Sequence, residues 1–241
     1  MKALIFAAGL GERMRPLTDS TPKPLLRVGG KRLIEWHLEK LAALGVNEVV
    51  VNTSWLANQF PQALGDGSRW GLKIHYAYEG STPLETGGGM HNALQWLGNT
   101  PFIAVNGDIW CDADFAALPC EPAGEAHLLL VDNPAHNPRG DFALGIDGRV
   151  HSDGEQRLTF SGIGVYRGSL FDDWRPIIGD VAGSELTPPR FKVAPLLRAA
   201  MARGVVTGAH HRGRWTDVGT PERLQMLDDA LRAEAQAASS N

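Results

Sequence analysis

KALIFAAGLGERMRPLT, Lys2 to Thr18, decides how the rest of the chain is read. Lys2 to Ala8 is a short unbroken apolar run closed by Gly9, the pattern of a strand buried on both faces. A glycine turn directly after such a strand lets backbone N–H groups approach phosphate oxygens closely. Two familiar phosphate loops are excluded by the residues themselves. A Walker A loop needs GxxxxGK[ST], which does not occur. A dinucleotide fingerprint needs GxGxxG running straight into a helix. Here Met14 stands in the third glycine position, and Pro16, Pro22 and Pro24 oppose a helix. Taken alone, Gly9–Gly11 reads equally well as a tight turn flanked by surface arginines.

Working outward, the pattern alternates. Leu33, Ile34, His37, Leu38, Leu41 and Leu44 recur at helical spacing from Lys31 until Gly45. Glu48 to Val51 is a second buried strand ending at Asn52. Ser54 is expected to cap a short helix through Phe60. Lys73 to Tyr78 reads as a strand, Thr86 to Leu97 as a helix with a glycine-rich first turn, and Pro101 to Val105 as a strand closed by Asn106-Gly107-Asp108. Such alternation predicts a parallel sheet with helices on both faces. Ligands in such sheets bind beyond the carboxyl ends of the strands. Those ends carry Gly9–Arg13, Asn52, Glu79 and Asp108. The second half predicts shorter strands over His127–Val131, Phe142–Ile146, Arg149–His151 and Arg157–Arg167, with Asp147-Gly148 as a hairpin turn. It also predicts helices over Lys192–Arg203 and from Pro221 to about Ala235, the latter capped by Thr220. Residues 236–241 are expected to fray. No repeat or low-complexity linker divides the chain, so one domain is expected over 1–241.

Composition narrows the function classes. The 241 residues carry 23 Lys+Arg against 27 Asp+Glu, a formal net charge of −4, with 43% apolar and 21% charged residues. That is an ordinary globular balance. It removes the basic face that nucleic-acid binding would need. Two cysteines nine positions apart, Cys111 and Cys120, form neither a redox pair nor a zinc framework. They fit a reducing cytoplasm. No apolar run approaches the roughly 20 residues of a membrane helix, and the start has no targeting layout. Asp112 and Asp114 read as solvated loop residues. His210 and His211 point oppositely if they lie on a strand, and His37 falls on an apolar helix face.

Gly9, Gly11, Arg13, Pro16, Leu17 and Thr18, continued by Pro22-Lys23-Pro24-Leu25, resemble the signature of the nucleotidyltransferases that activate sugar 1-phosphates. The resemblance implies a Rossmann-like α/β fold with a mixed, mainly parallel sheet. About 1–110 would hold the nucleotide and about 111–235 the sugar. It implies that Ala8, Gly9 and Gly11 hold a nucleoside triphosphate, with Arg13 and Lys23 on its phosphates. Arginine suits bidentate contact and lysine a point charge. In that family a strand-end Gly-Asp and a late Trp-x-Asp-x-Gly-Thr pattern bind Mg²⁺. Asp108 and Asp217 occupy those positions, and each taken singly is also an ordinary turn or cap residue.

Tyr78 to Gly89, which contains Pro-Leu-Glu-Thr-Gly-Gly-Gly, resembles the family's base-reading loop and implies roles for Glu79, Glu85, Thr86 and Asn106. Glu85 stands where relatives usually carry glycine. Family position implies Gly140, Asp141, Thr159 and Ser161 as sugar contacts, with Phe160 able to stack on a ring. Lys192 is within reach of the phosphate or an acidic group of the sugar, and reads first as a solvated lysine at a helix start. The short chain, without β-helix repeats, looks most like members that use UTP to uridylylate N-acetylmuramate 1-phosphate in peptidoglycan recycling. Members that guanylylate mannose 1-phosphate share much of the pattern. A nucleotide-sensing module without turnover is the reading from another class.

Overall fold

A computed structural model describes residues 1–239. In chain order the strands are β1 (Lys2–Phe6), β2 (Arg27–Val28), β3 (Lys31–Arg32), β4 (Glu48–Thr53), β5 (Lys73–Tyr78), β6 (Phe102–Asn106), β7 (Ile109–Cys111), β8 (Ala126–Val131), β9 (Phe142–Leu144), β10 (Val150–His151), β11 (Arg157–Tyr166), β12 (Val206–His211) and β13 (Trp215–Asp217). The α-helices are α1 (Leu17–Ser20), α2 (Leu33–Ala43), α3 (Gln59–Leu64), α4 (Glu85–Leu97), α5 (Trp174–Ile178), α6 (Ala194–Ala202) and α7 (Pro221–Ser239).

Ala3, Leu4 and Ile5 are fully buried, as a strand covered on both faces requires. β1 pairs in parallel with β4 on one side and β6 on the other, and β4 pairs in parallel with β5. Beyond β6 the sheet changes sense. β11 is antiparallel to β6, to β8 and to β9, while β12 runs parallel to β8. The full order is β10-β9-β11-β6-β1-β4-β5, with β8 and β12 branching from β11, so one mixed sheet spans both halves of the chain. Leu4, Val50 and Ala104 pack on one face with α4 and α6. Ala3, Ile5, Val49 and Val51 pack on the other with α2 and α3. Turnover of face at each residue is the period-2 rule at work.

Several expectations shift. Residues 55–58 form a turn, and the helix is α3, Gln59–Leu64. Ser54 does not cap it, because its Oγ donates to the Gly80 carbonyl at 2.6 Å. Lys31-Arg32 forms a strand against Arg27-Val28 before α2 begins. α6 starts at Ala194, two residues after Lys192. α7 runs on to Ser239 where fraying was expected, and Ser240 and Asn241 lie outside the described residues. No helix among the described residues is long and apolar enough to cross a membrane.

One helix face sets the ground of the site. His37 of α2 is buried and donates from Nε2 to the Ile109 carbonyl at 2.9 Å. Lys40, one turn on, donates to the carbonyls of Cys111 (2.6 Å) and Ala113 (2.8 Å). The two side chains thus pin β7, which begins one residue after Asp108. Burial pushes the His37 pKa down from 6.5 to about 4, so the folded protein holds it neutral. The unfolded chain binds a proton between those values and the folded chain does not. Stability from this group is therefore full above pH 6.5 and lost as pH falls toward 4. The loss should reach about 3 kcal/mol, at 1.36 kcal/mol per unit. Urea unfolding of wild type and His37→Gln across pH 7 to 4 tests this, because the Gln amide can still donate without titrating. An equally steep acid loss in both proteins would assign it elsewhere.

Candidate functional site

The strand-end turns enclose a cavity of about 650 Å³. Its wall includes Ala8, Gly9, Gly11 and Arg13 from the turn after β1, Lys23 and Pro24, Asn106 and Asp108 beyond β6, and Glu85 and Thr86 opening α4. Nine of the candidate site residues picked from sequence, all of these but Pro24, are therefore brought to one place. Gly11 has φ +67°, and a Cβ there would lie 2.8 Å from Thr18 Cγ2, so the turn needs glycine. Gly9 has open space where a side chain would stand. Short turns of 3₁₀ type at Glu12–Met14 and Lys23–Leu25 follow, in keeping with the prolines.

Lys23 is buried, 8% exposed, and its Nζ lies 2.6 Å from Asp108 Oδ2. Arg13 also lines the cavity but is exposed, with no ion pair or hydrogen bond among the described residues. One cation is fixed and one is free to fold over an anion. Arg190, absent from the sequence expectations, lines the same cavity. Its Nη2 lies 3.6 Å from Glu85 Oε1, and its Nε is buried without a partner. Glu85 keeps the left-handed backbone, φ +63°, that explains glycine as the easier residue there.

Asp217 and Asp108 meet through the β7–β13 ladder. Asp217 pairs with Ile109, and the Val218 N–H donates to the Asp108 carbonyl at 2.9 Å. Asp217 Oδ2 sits behind Gly219, itself part of the cavity wall, where an added Cβ would approach it to 2.9 Å. Its Oδ1 accepts from Arg223 and lies 3.1 Å from His136 Nε2. Asp108 in the cavity wall and Asp217 behind Gly219, at neighbouring ladder positions, are a carboxylate pair of the kind that fits a hard divalent cation with water and phosphate oxygens completing the shell.

Glu79 takes a different place from the one expected. It is buried and outside the cavity wall. Its Oε1 accepts from Asn52 Nδ2 (2.7 Å) and its Oε2 from the Leu84 N–H (2.8 Å), while Asn52 Oδ1 accepts from the Ala7 N–H (2.6 Å). This relay braces the glycine turn against the loop before α4. Burial pushes the Glu79 carboxyl up.

The four positions expected as sugar contacts line neither cavity. Ser161 is fully buried, and its Oγ donates to the Leu129 carbonyl at 2.6 Å. Thr159 is buried and donates to Asn133 Oδ1 (2.9 Å). Asp141 accepts from the Phe160 N–H (2.8 Å) and from Asn137 Nδ2 (3.1 Å). Gly140 lies in a turn whose added Cβ would meet the Arg157 backbone at 2.7 Å. All four build the frame. Their neighbours Phe142, Phe160 and Gly162 instead line a second cavity, of about 210 Å³, which shares Phe6, Thr86 and Asn106 with the first. Strand alternation explains the switch, since successive side chains point to opposite faces. A register shift between Phe160 and Ile163, with Gly162 at φ +82°, turns the strand there.

The Gly87-Gly88-Gly89 run was read as part of a base loop and proves to be a packing device. Residues 189–193 form a strap across the first turn of α4. The Gly87 and Gly88 N–H groups both donate to the Phe191 carbonyl at 2.9 Å. A Cβ on Gly87 would strike the Phe191 ring, and one on Gly88 would fall well inside contact distance of the Pro189 carbonyl. The Val193 N–H donates to Thr86 Oγ1 at 3.1 Å. Away from the cavity, His210 and His211 pair with Asp132 (2.8 Å) and Asp112 (2.7 Å) on opposite sides, as expected of strand neighbours.

A model of the nucleotidyl transferase family matches residues 2–128. An N-acetylmuramate alpha-1-phosphate uridylyltransferase of Neisseria meningitidis serogroup B is 50% identical over 93% of this chain and 96% of its own. One from Caulobacter vibrioides is 33% identical over 97% of both. Among solved structures, a putative glucose-1-phosphate thymidylyltransferase from Bacillus anthracis, crystallised with sucrose, superposes with a TM-score of 0.79 at 22% identity, covering 96% of this chain and 95% of that one. It shares the fold.

Proposed function

The chain belongs to the nucleotidyl transferase family, and from that premise we propose that it transfers the uridylyl group of UTP to N-acetylmuramate 1-phosphate. The products are UDP-N-acetylmuramate and pyrophosphate. The observation that carries this reading is the meeting of the glycine turn, Arg13, the buried Lys23 and Asp108 around one cavity. A sugar phosphate oxygen forms the new bond to the α-phosphorus, and the bond from that phosphorus to the α–β bridging oxygen breaks. The nucleophile is the substrate's own phosphate, so no enzyme nucleophile or covalent intermediate is needed.

The chain's contribution is positioning and charge. Backbone N–H groups around Gly9 and Gly11 receive phosphate oxygens. Arg13 closes over the outer phosphates, and Lys23 holds charge at the reacting group. Asp108 and Asp217 would hold Mg²⁺, which neutralises phosphate charge when bound. The 50% identical relative, matched nearly end to end, supports the sugar assignment and with it a role in peptidoglycan recycling.

Pyrophosphate release across UTP, dTTP and GTP, each paired with N-acetylmuramate, N-acetylglucosamine and mannose 1-phosphates, tests the reading. UTP with N-acetylmuramate 1-phosphate should give the highest kcat/KM, with activity lost on chelation and restored by Mg²⁺. A preference for GTP with mannose 1-phosphate would overturn it. Nucleotide-induced stabilisation without any pyrophosphate would mark a sensing module instead.

A further inference from the structure

We propose that Lys192 recognises a carboxylate on the sugar and so sets preference for an acidic sugar phosphate. The inference rests on the function proposed above and deepens it. The second cavity opens from the first, and its wall is mostly apolar, with Met90, Phe142, Phe160 and Leu197. Lys192 is the one side chain in that wall charged at neutral pH. It is exposed, and its ammonium has no partner among the described residues. The cations of the first cavity are differently placed: Lys23 is paired with Asp108 and Arg190 with Glu85, and Arg13 stands over the glycine turn.

Lys192 is not held loosely. Its neighbours in the strap are both buried. Phe191 stacks on Trp174, with ring centroids 4.8 Å apart, and its N–H donates to the Leu84 carbonyl at 3.2 Å. Val193 is tied to Thr86. The backbone on either side of Lys192 is thereby fixed, and its side chain stands at the second cavity.

The reacting phosphate must lie beside Lys23 and Asp108 in the first cavity. The sugar body therefore extends past Asn106 and Thr86, which both cavities share, into the second. A cation in the wall of the second cavity, and not of the first, is placed to meet a substituent of the ring. An ether-linked lactyl group offers a methyl for the apolar wall and a carboxylate for the ammonium. A charge-assisted contact in an apolar setting is stronger than one in water.

The test compares N-acetylmuramate 1-phosphate with N-acetylglucosamine 1-phosphate, which lacks only the lactyl ether. Lys192→Met should lower kcat/KM for the first by about 10- to 100-fold, the worth of one hydrogen bond to a charged group. It should leave the second within about twofold, the scatter of a neutral surface change. Lys192→Arg should recover part of the preference. Wild type given the lactyl amide in place of the acid should behave as Lys192→Met does with the acid. Equal losses on both sugars would assign the lysine to the phosphate and overturn the proposal, as would no loss on either. If wild type fails to use N-acetylmuramate 1-phosphate at all, the function proposed above falls, and the lysine's role falls with it. That outcome is separate from a wild type that prefers the acid while the variant keeps its preference.

Discussion

Lys23→Ala is expected to lower kcat by roughly 10²- to 10³-fold, the usual cost of deleting one preorganised donor at a site of developing charge. The expectation comes from burial as much as from charge. Lys23 is 8% exposed and held between Pro22 and Pro24 in a tight turn whose Leu26 N–H donates back to the Lys23 carbonyl. Its ammonium is already oriented and largely stripped of water before substrate arrives, so little reorganisation accompanies the reaction. The same ammonium lies 2.6 Å from Asp108, whose side chain is 40% exposed. Removing the lysine leaves a carboxylate that can rehydrate. The fold should therefore lose only about 1 kcal/mol, as for a partly exposed pair. Lys23→Arg should not restore the rate, because a planar guanidinium does not reproduce the point contact that the buried ammonium makes with Asp108. Pyrophosphate-release kinetics beside a thermal melt distinguish the two effects. A variant with kcat within threefold of wild type would remove Lys23 from the working set. A matching collapse of the melt would make its role structural.

How far the sequence could be read depends on how local each signal is. The β1 run and the turn through Gly11 were legible because burial on both faces and a required left-handed glycine are written within a dozen residues. The parallel strands β1, β4 and β6 are legible for the same reason, each an apolar run with a stop, whereas β5 is a mixed stretch whose strand character rests on Ile74, Tyr76 and Tyr78. The sugar side was not legible. Thr159 and Ser161 are implied as sugar contacts by family position, and their polar groups suit hydroxyls. On β11 they face the frame, and Phe160 and Gly162 face the cavity. The sense of a strand's faces comes from its partners, here β8 and β6, which pair with it across long separations. Ser-Gly beside the register shift was the one local hint. β12 went unrecognised because Val-Thr-Gly-Ala-His-His carries no apolar run; its strand character comes from β8. Glu79 was read as a rim carboxylate, and nothing local announces that Asn52 and Leu84 hold both its oxygens. Arg190 carries no local signal, and Lys192 reads first as a solvated lysine at a helix start; both line the cavities. What brings them there is a strap docking on Gly87 and Gly88, about a hundred residues earlier, a contact no spacing rule describes.

Gly88→Ala should therefore damage the site although the residue touches no substrate. An alanine Cβ would sit well inside contact distance of the Pro189 carbonyl, and 3.2 Å from both Arg190 Cα and Leu84 Cβ. The obstruction is backbone, so no rotamer change relieves it. The strap must move away, and its movement stretches the Gly87 and Gly88 N–H bonds to the Phe191 carbonyl together with the Val193 link to Thr86. Arg190 and Lys192 ride on that strap into both cavities. A shift near 1 Å at positioning groups costs about 10²-fold in rate. The expected result is a fall in kcat/KM of roughly that size, with about 1–3 kcal/mol of destabilisation from overpacking. Gly168→Ala is the control, because its Cβ would meet Leu94 Cδ2 at 3.8 Å and the Gly98 carbonyl at 3.9 Å, both ordinary contacts. It should leave activity and melting unchanged. Amide hydrogen exchange separates the mechanism from general loss of fold: protection should drop over 84–88 and 189–193 while β1 and β4 keep theirs. Wild-type kcat/KM in Gly88→Ala would mean that the strap yields without consequence, and that the cavities do not depend on where it lies.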